Sequence, residues 1–476
     1  MNRLGYYPWA LAAMFLVGLQ RTNAEPRLGK AEKVSYSRVV RRILQVHCQA
    51  CHQPAKPMGG LTLTNYPGLL DKGDSGLPAV VPGKSGDSHL VEQITSHGGK
   101  PPAMPKGREA MATADVQRLV QWIAEGAKDD TPETDRHFID AAHPPSYSLA
   151  PVITSIDYSP DGELLAVAGR HEVLLHKADG TGLVARLIGI SERIQSVSFS
   201  LNGKRLAVSG GDPCLFGEIQ VWDVARHKLK LSTVLTADTL YGVSWSPDGS
   251  RIAFGCADNT VRAIDAESGN QVLFQGAHND WVLQTTFSTD GSHLVSVSRD
   301  MSMKLIEVTT QRFVDNITSI TPGALKGGLQ SVARHPRKDE VLVGGSDGTP
   351  KIYRMYRQKK RVIGDDYNLI RSFEPMPGRI FCVRFNKDGS KILVGSSFEG
   401  KGEARIYQTA DGRLITRLQG EKGGIFAVAY RPDGKEVATA GFDGMVRIHD
   451  PNTGKLIREF VPVPVATTTT VAARPK

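Results

Sequence analysis

Seven times between residues 159 and 434 the chain repeats one kind of turn, and this recurrence constrains the fold more than any other feature. The turns are Ser159-Pro160-Asp161-Gly162, Ser200-Leu201-Asn202-Gly203, Ser246-Pro247-Asp248-Gly249 and Ser288-Thr289-Asp290-Gly291, then the degenerate His335-Pro336-Arg337-Lys338, then Asn386-Lys387-Asp388-Gly389 and Arg431-Pro432-Asp433-Gly434. Their spacing, roughly forty to fifty residues, is the length of one four-stranded unit of sheet. Asp-Gly or Asn-Gly supplies the positive φ of a tight hairpin. A short apolar run follows each turn, such as Leu164-Leu165-Ala166-Val167-Ala168 or Ile392-Leu393-Val394-Gly395. Apolar character on both faces marks a strand covered on each side. A third strand then ends in a bulky residue before an acid: Trp222-Asp223, Ile264-Asp265, Ile306-Glu307 and His449-Asp450. The last repeat has its own outer strand from Lys455 to Phe460, which leaves open how the units close on one another.

The chemistry lies outside the repeats. Cys48-Gln49-Ala50-Cys51-His52 places two cysteines three apart with a histidine at once behind them, the attachment signature of c-type haem. Positions i and i+3 share a helical face, so both thiols can meet the two vinyl groups on one porphyrin edge. His52 follows as the proximal iron ligand. The same Cys-x-x-Cys spacing serves zinc half-sites and redox dithiols. Zinc needs a second ligand pair, and no further Cys-x-x-Cys or His-x-x-x-His exists. In Lys100-Pro101-Pro102-Ala103-Met104-Pro105-Lys106 the prolines hold Met104 in a stiff, extended loop, suited to the sixth ligand position. His/Met ligation raises the potential relative to His/His. His89 or His97, or an open position, are the alternatives.

At 476 residues the chain exceeds one ordinary domain. Residues 1–24 read as a secretory signal peptide: Arg3, an apolar run from Ala10 to Leu19, then small residues in Thr22-Asn23-Ala24. That run is too short to span a bilayer, and an uncleaved anchor is the alternative. Export to the periplasm agrees with the haem motif. Ser37 is expected to cap a helix carrying Val39, Val40, Ile43 and Leu44, which runs into Cys48. Thr113 is expected to cap a second, with Val116, Leu119, Val120 and Ile123 on one face and Gly126 as its stop. Residues 131–150 are Pro-rich and read as a semi-rigid linker, and residues 463–476 as a flexible tail.

Residues 38–130 resemble the planctomycete-type cytochrome c domain. The carriers are the haem motif, Gly59-Gly60-Leu61-Thr62-Leu63, Val81-Pro82-Gly83, Ser88-His89-Leu90, Met104-Pro105 and Trp122-Ile123. The repeats resemble the WD40 family over nearly all of 151–460. That family's aspartate before the third strand falls at Asp258, Asp300, Asp347 and Asp443, and its Gly-His element survives only as Gly276-Ala277-His278. The resemblance implies a buried network of His278, Ser296 and Asp300, shortened because Ile306 stands where the family has tryptophan. Together these readings give a multidomain chain. A small all-α cytochrome c domain over 35–130 precedes an all-β, seven-bladed WD40-type propeller over 151–462.

The net charge of +9 includes Arg3 and Arg21 of the signal. The basic residues read as scattered, with no basic block or aromatic-interleaved arginine cluster, which sets nucleic acid aside. Cys214, Cys256 and Cys382 are an odd remainder that suggests no disulfide framework, and Cys256 reads as a buried small hydrophobe. The repeats show no nucleophile elbow, phosphate loop or His-Glu-x-x-His helix. The expected function is an exported c-type cytochrome with one covalent haem. It would pass single electrons to a redox partner protein, with the propeller as docking scaffold and no integral span after signal cleavage. The expectation leans away from a substrate-turnover enzyme. A cytochrome cd1-type oxidoreductase and a haem-based redox sensor are the alternatives.

Overall fold

A computed structural model describes residues 33–133, 139–319 and 326–465. The expected signal at 1–24 and the tail beyond residue 465 lie outside the described residues. Ser35, not Ser37, opens the first helical turn, its hydroxyl accepting the Arg38 N–H at 3.1 Å. The Ser37 N–H is instead held by Asp130 at 2.7 Å. The π-wound turn Tyr36–Val40 continues into α1 (Arg41–His47), followed by α2 (Tyr66–Leu69), α3 (His89–Ile94) and α4 (Thr113–Ala124). Thr113 is the first residue of α4 rather than its cap. Ala112 stands at the cap without a side-chain bond. The expected apolar faces do meet: Val40, Ile43 and Leu44 pack with Leu119, Trp122 and Ile123. Tyr36 stacks on Trp122 at 5.5 Å between ring centres, and truncating such a buried aromatic costs about 3–5 kcal/mol. α4 stops as expected at Gly126, whose φ of 102° only glycine adopts readily. A two-residue ribbon, His52–Gln53 against Lys56–Pro57, interrupts the helical pattern just after the haem motif.

The rest of the described chain is β-structure of the WD40 propeller kind. Five four-stranded antiparallel sheets lie at 240–275, 282–316, 329–372, 379–417 and 425–460, each with strands in sequence order. A seven-stranded sheet precedes them. Its strand Leu183–Phe199 pairs backwards with Arg170–Lys177 through its first half and forwards with Arg205–Asp212 through its second. One central cavity is lined from every sheet by residues of the innermost strands, including Gln195, Gly242, Gln284, Gln330, Cys382 and Ala427. In four of the turns a serine hydroxyl closes the hairpin. Ser159, Ser200, Ser246 and Ser288 each accept, at 2.9–3.0 Å, the N–H five residues on. In the degenerate copy His335 Nδ1 accepts from the Arg337 N–H instead, at 3.1 Å.

The last sheet keeps its own outer strand, Leu456–Phe460, and closure is made by packing together with backbone hydrogen bonds. The Ile153 N–H bonds the Gly441 carbonyl at 3.0 Å, and Ile156 and Val167 share a core with Ala429 and Ala440. Val463 is buried with Tyr147 and Leu174, so the chain stays packed beyond residue 462. The described part of the linker is pinned too. The Tyr147 hydroxyl donates to Glu172 at 2.6 Å, and Arg186 holds both Glu172 and the Pro145 carbonyl.

Candidate functional site

α1 delivers His47 and Cys48 at its C-terminal end, where the Cys48 N–H still bonds the Leu44 carbonyl at 2.8 Å. The next turn closes on itself, with the Cys51 and His52 N–H groups both donating to the Cys48 carbonyl at 3.1 Å. That turn brings Cys48, Cys51 and His52 onto one wall. The loop carrying Met104 is tied to α3 by its N–H on the Gln93 carbonyl at 2.9 Å. All four side chains line one cleft, whose apolar walls are Met58, Leu63, Leu90, Ile94 and Met111. It leaves about 790 Å³ of space, solvent at its mouth included, within the roughly 300–1,000 Å³ usual for small-molecule sites.

The two other candidate ligands do not reach the cleft. His89 Nδ1 lies 2.9 Å from Glu92, and His97 Nε2 lies 2.9 Å from the Thr95 hydroxyl on an exposed loop. The sequence reading passed over His47, Met58, Met111 and Arg108. His47 was the most accessible of these, since it stands directly before Cys48.

Burial pushes the Cys48 thiol up to about 12, and Cys51 adds to the effect, although the thiol faces the cleft and keeps some exposure. Dithiols built for exchange have lowered pKa values instead. Among the described residues no group of three or more His, Cys, Asp or Glu gathers as a metal cage. Burial lowers the pKa of His52, partly offset by backbone groups of Met58 and Leu61, so its imidazole is the neutral form that binds metals. Its buried Nδ1 has no hydrogen-bond partner in the protein. Neutral imidazole, paired thiols and a thioether around an apolar slot suit a haem.

The cleft sits against the sheets. Ala50, inside the Cys-x-x-Cys pair, is buried with Phe216 and Val234. Arg108 donates to the Thr233 hydroxyl at 2.6 Å, and Lys56 to the Lys230 carbonyl at 3.1 Å. Beneath the next residues, Gln53 and Glu218 are both fully buried. Burial raises the Glu218 pKa against hydrogen bonds from Gln220, Ser191, Ser232 and Gln53.

Residues 48–107 match the family described as Planctomycete cytochrome C. Residues 269–307 and 412–450 match the WD domain, G-beta repeat, and residues 220–282 the WD40 domain of anaphase-promoting complex subunit 4. Among curated proteins, the chain is similar to eukaryotic translation initiation factor 3 subunit I of Kluyveromyces lactis, 24% identical over 286 residues, or 56% of this chain and 68% of that protein. It is similar to the same subunit of Aspergillus oryzae, 24% identical over 307 residues, 62% and 78%. WD repeat-containing protein 26 homolog of Arabidopsis thaliana is 23% identical over 300 residues, 62% and 47%. The chain joins a planctomycete-type cytochrome c segment to WD40 repeats, the fusion its motifs suggested.

Proposed function

We propose that this chain is an exported c-type cytochrome that carries single electrons. One haem would be bound covalently through Cys48 and Cys51, with His52 as proximal ligand and Met104 as distal ligand. A bound haem supplies a one-electron centre, and a methionine in the sixth position leaves no open site for substrate. The observation that carries this reading is the shared cleft: both thiols, the neutral imidazole and the thioether line one apolar space, while His89 and His97 are engaged elsewhere. Met58, Leu63 and Ile94 give that space its apolar lining. Arg108 and Lys56 fix the cleft against the sheets, so the ring would present the haem to a partner protein in a set orientation.

We read the ring as seven blades. Five are the separate four-stranded sheets, and two share the long strand Leu183–Phe199. The ring is proposed as a protein-docking scaffold without chemistry of its own. Carbon monoxide added to the reduced protein, and nitrite or peroxide supplied with an electron donor, test the proposal. Slow or absent carbon monoxide binding, with fast electron exchange to a small soluble cytochrome, is the expected outcome. Rapid binding with multiple turnovers would promote the enzyme reading.

A further inference from the structure

The connection between the third and fourth strands of each sheet is short everywhere except once. Between Asp223 and Lys228, Asp265 and Gln271, Glu307 and Phe313, Gln408 and Leu414, and His449 and Leu456, at most six residues intervene. Between Lys351–Arg354 and Leu369–Ser372 the loop runs from 355 to 368, fourteen residues. Loops this long in a compact repeat are generally functional. Arg354, Arg357, Lys359, Lys360 and Arg361 lie in or beside it. This is a basic block, and the reading of the basic residues as scattered is corrected here.

The loop is built. Arg357 is ion-paired with Asp365, and Arg361 with Asp315 of the neighbouring sheet at 2.8 Å. Arg354, Arg357 and Lys359 converge on the Tyr367 ring at 5.9, 5.3 and 5.5 Å from its centre. Arg354, Lys359 and Lys360 are exposed and make no ion pair with any described acid. At the tip, Val362 and Ile363 are 64% and 85% exposed, the latter more than any other large apolar side chain described.

We propose that this loop docks the protein on an anionic lipid surface, its unpaired cations on the headgroups and Val362 and Ile363 inserted at the headgroup–acyl boundary. Charge complementarity selects an anionic partner, and the apolar tip selects a bilayer, since a phosphate backbone offers Val362 and Ile363 nothing to bury against. Stacking of nucleobases is disfavoured because the loop's aromatic ring is already surrounded by cations. Each basic side chain near such a surface contributes roughly a fivefold factor in affinity. The site is independent of the haem proposal.

Sedimentation of the full chain with phosphatidylglycerol/phosphatidylcholine vesicles tests it, with pure phosphatidylcholine vesicles as the neutral arm. Binding to the anionic vesicles alone, weakened by salt, is expected. Lys359→Glu with Lys360→Glu should weaken it at least tenfold, and Val362→Asp with Ile363→Asp to a similar degree. All four positions are exposed, so an unchanged thermal midpoint checks folding. No binding to anionic vesicles at low salt, or binding indifferent to both double variants, overturns the proposal. Equal weakening of binding to an oligonucleotide or to polyglutamate, with no vesicle binding, would reassign the loop to that partner and also overturn it.

Discussion

Two histidines, one in the helical region and one in the ring, show how differently the two parts of this molecule use the same residue. In the ring, His278 engages Asp300 through Nδ1 at 3.0 Å and Ser296 through Nε2 at 2.8 Å. The network implied by the WD40 resemblance is formed, with Ile306 in the tryptophan's place. Burial raises the Asp300 pKa, but bonds from His278, Ser302 and the Asn279 backbone outweigh it and hold the carboxyl well below its usual range. His52, in contrast, has a buried Nδ1 without a protein partner and faces a cleft. One histidine completes a structural network, and the other lines an apolar cleft beside two thiols and a thioether. Perturbed pKa alone does not separate the two regions: burial pushes Cys48 and the ring-core Cys256 both up to about 12. What separates them is what the side chain faces.

The sharpest way to break this comparison is to truncate both histidines. His52→Ala should abolish the visible spectrum of a low-spin haem while leaving the ring's unfolding unchanged. His278→Ala should keep the spectrum and cost the ring roughly 3 kcal/mol, because it leaves the buried Asp300 carboxylate without its main partner. Denaturant unfolding and absorbance on both variants check this. A His278→Ala protein that loses its spectrum would couple the regions far more tightly than the account allows.

A second, smaller effect sharpens the cleft side. Met104→Ala should remove the weak far-red band of the oxidised protein and lower the potential by on the order of a hundred millivolts. An unchanged spectrum would return the sixth position to His89 or His97, although neither lines the cleft in this structure.

The smallest effect concerns the ring in the last sheet, where Glu421 stands in the place of His278. Its carboxyl accepts from the Thr439 hydroxyl at 2.6 Å, with Arg447 3.7 Å away. Burial pushes its pKa up to about 7, against the pull of Thr439 and Arg447. A raised folded-state pKa means that the native protein holds the proton more tightly than the unfolded chain. This contribution is therefore complete below about 4.5 and lost as pH rises through about 7. Glu421→Gln should flatten that decline, by on the order of 1–2 kcal/mol, in denaturant melts taken from pH 4.5 to 8.

The Cys-x-x-Cys-His turn, the Met-Pro loop and the hairpin turns were legible because each depends on local chemistry. Ser159 and its equivalents bond only five residues away, and Cys48 and Cys51 share one turn. Helix caps were misplaced by small steps because Ser35 and Ser37 are both plausible caps, and only Asp130, 93 residues away, decides between them. The seat of the cleft on the ring was hidden for the same reason. Nothing near Ala50 or Arg108 in sequence announces Phe216 or Thr233. The basic loop is a different failure: Arg354 to Arg361 was visible, but a net charge averaged over the chain concealed its density. The unbroken strand Leu183–Phe199 was not legible either: Ile190 in it packs beside Ala50 and Phe216, a contact that no hairpin signal encodes.

The central claim is that the cleft holds a covalent haem through Cys48 and Cys51, and acid–acetone extraction tests it most directly. The protein expressed with a haem-attachment system should keep its pigment in the precipitate, and the Cys48→Ser, Cys51→Ser variant should release it or carry none. Pigment from the unaltered chain moving into the acetone would contradict the account.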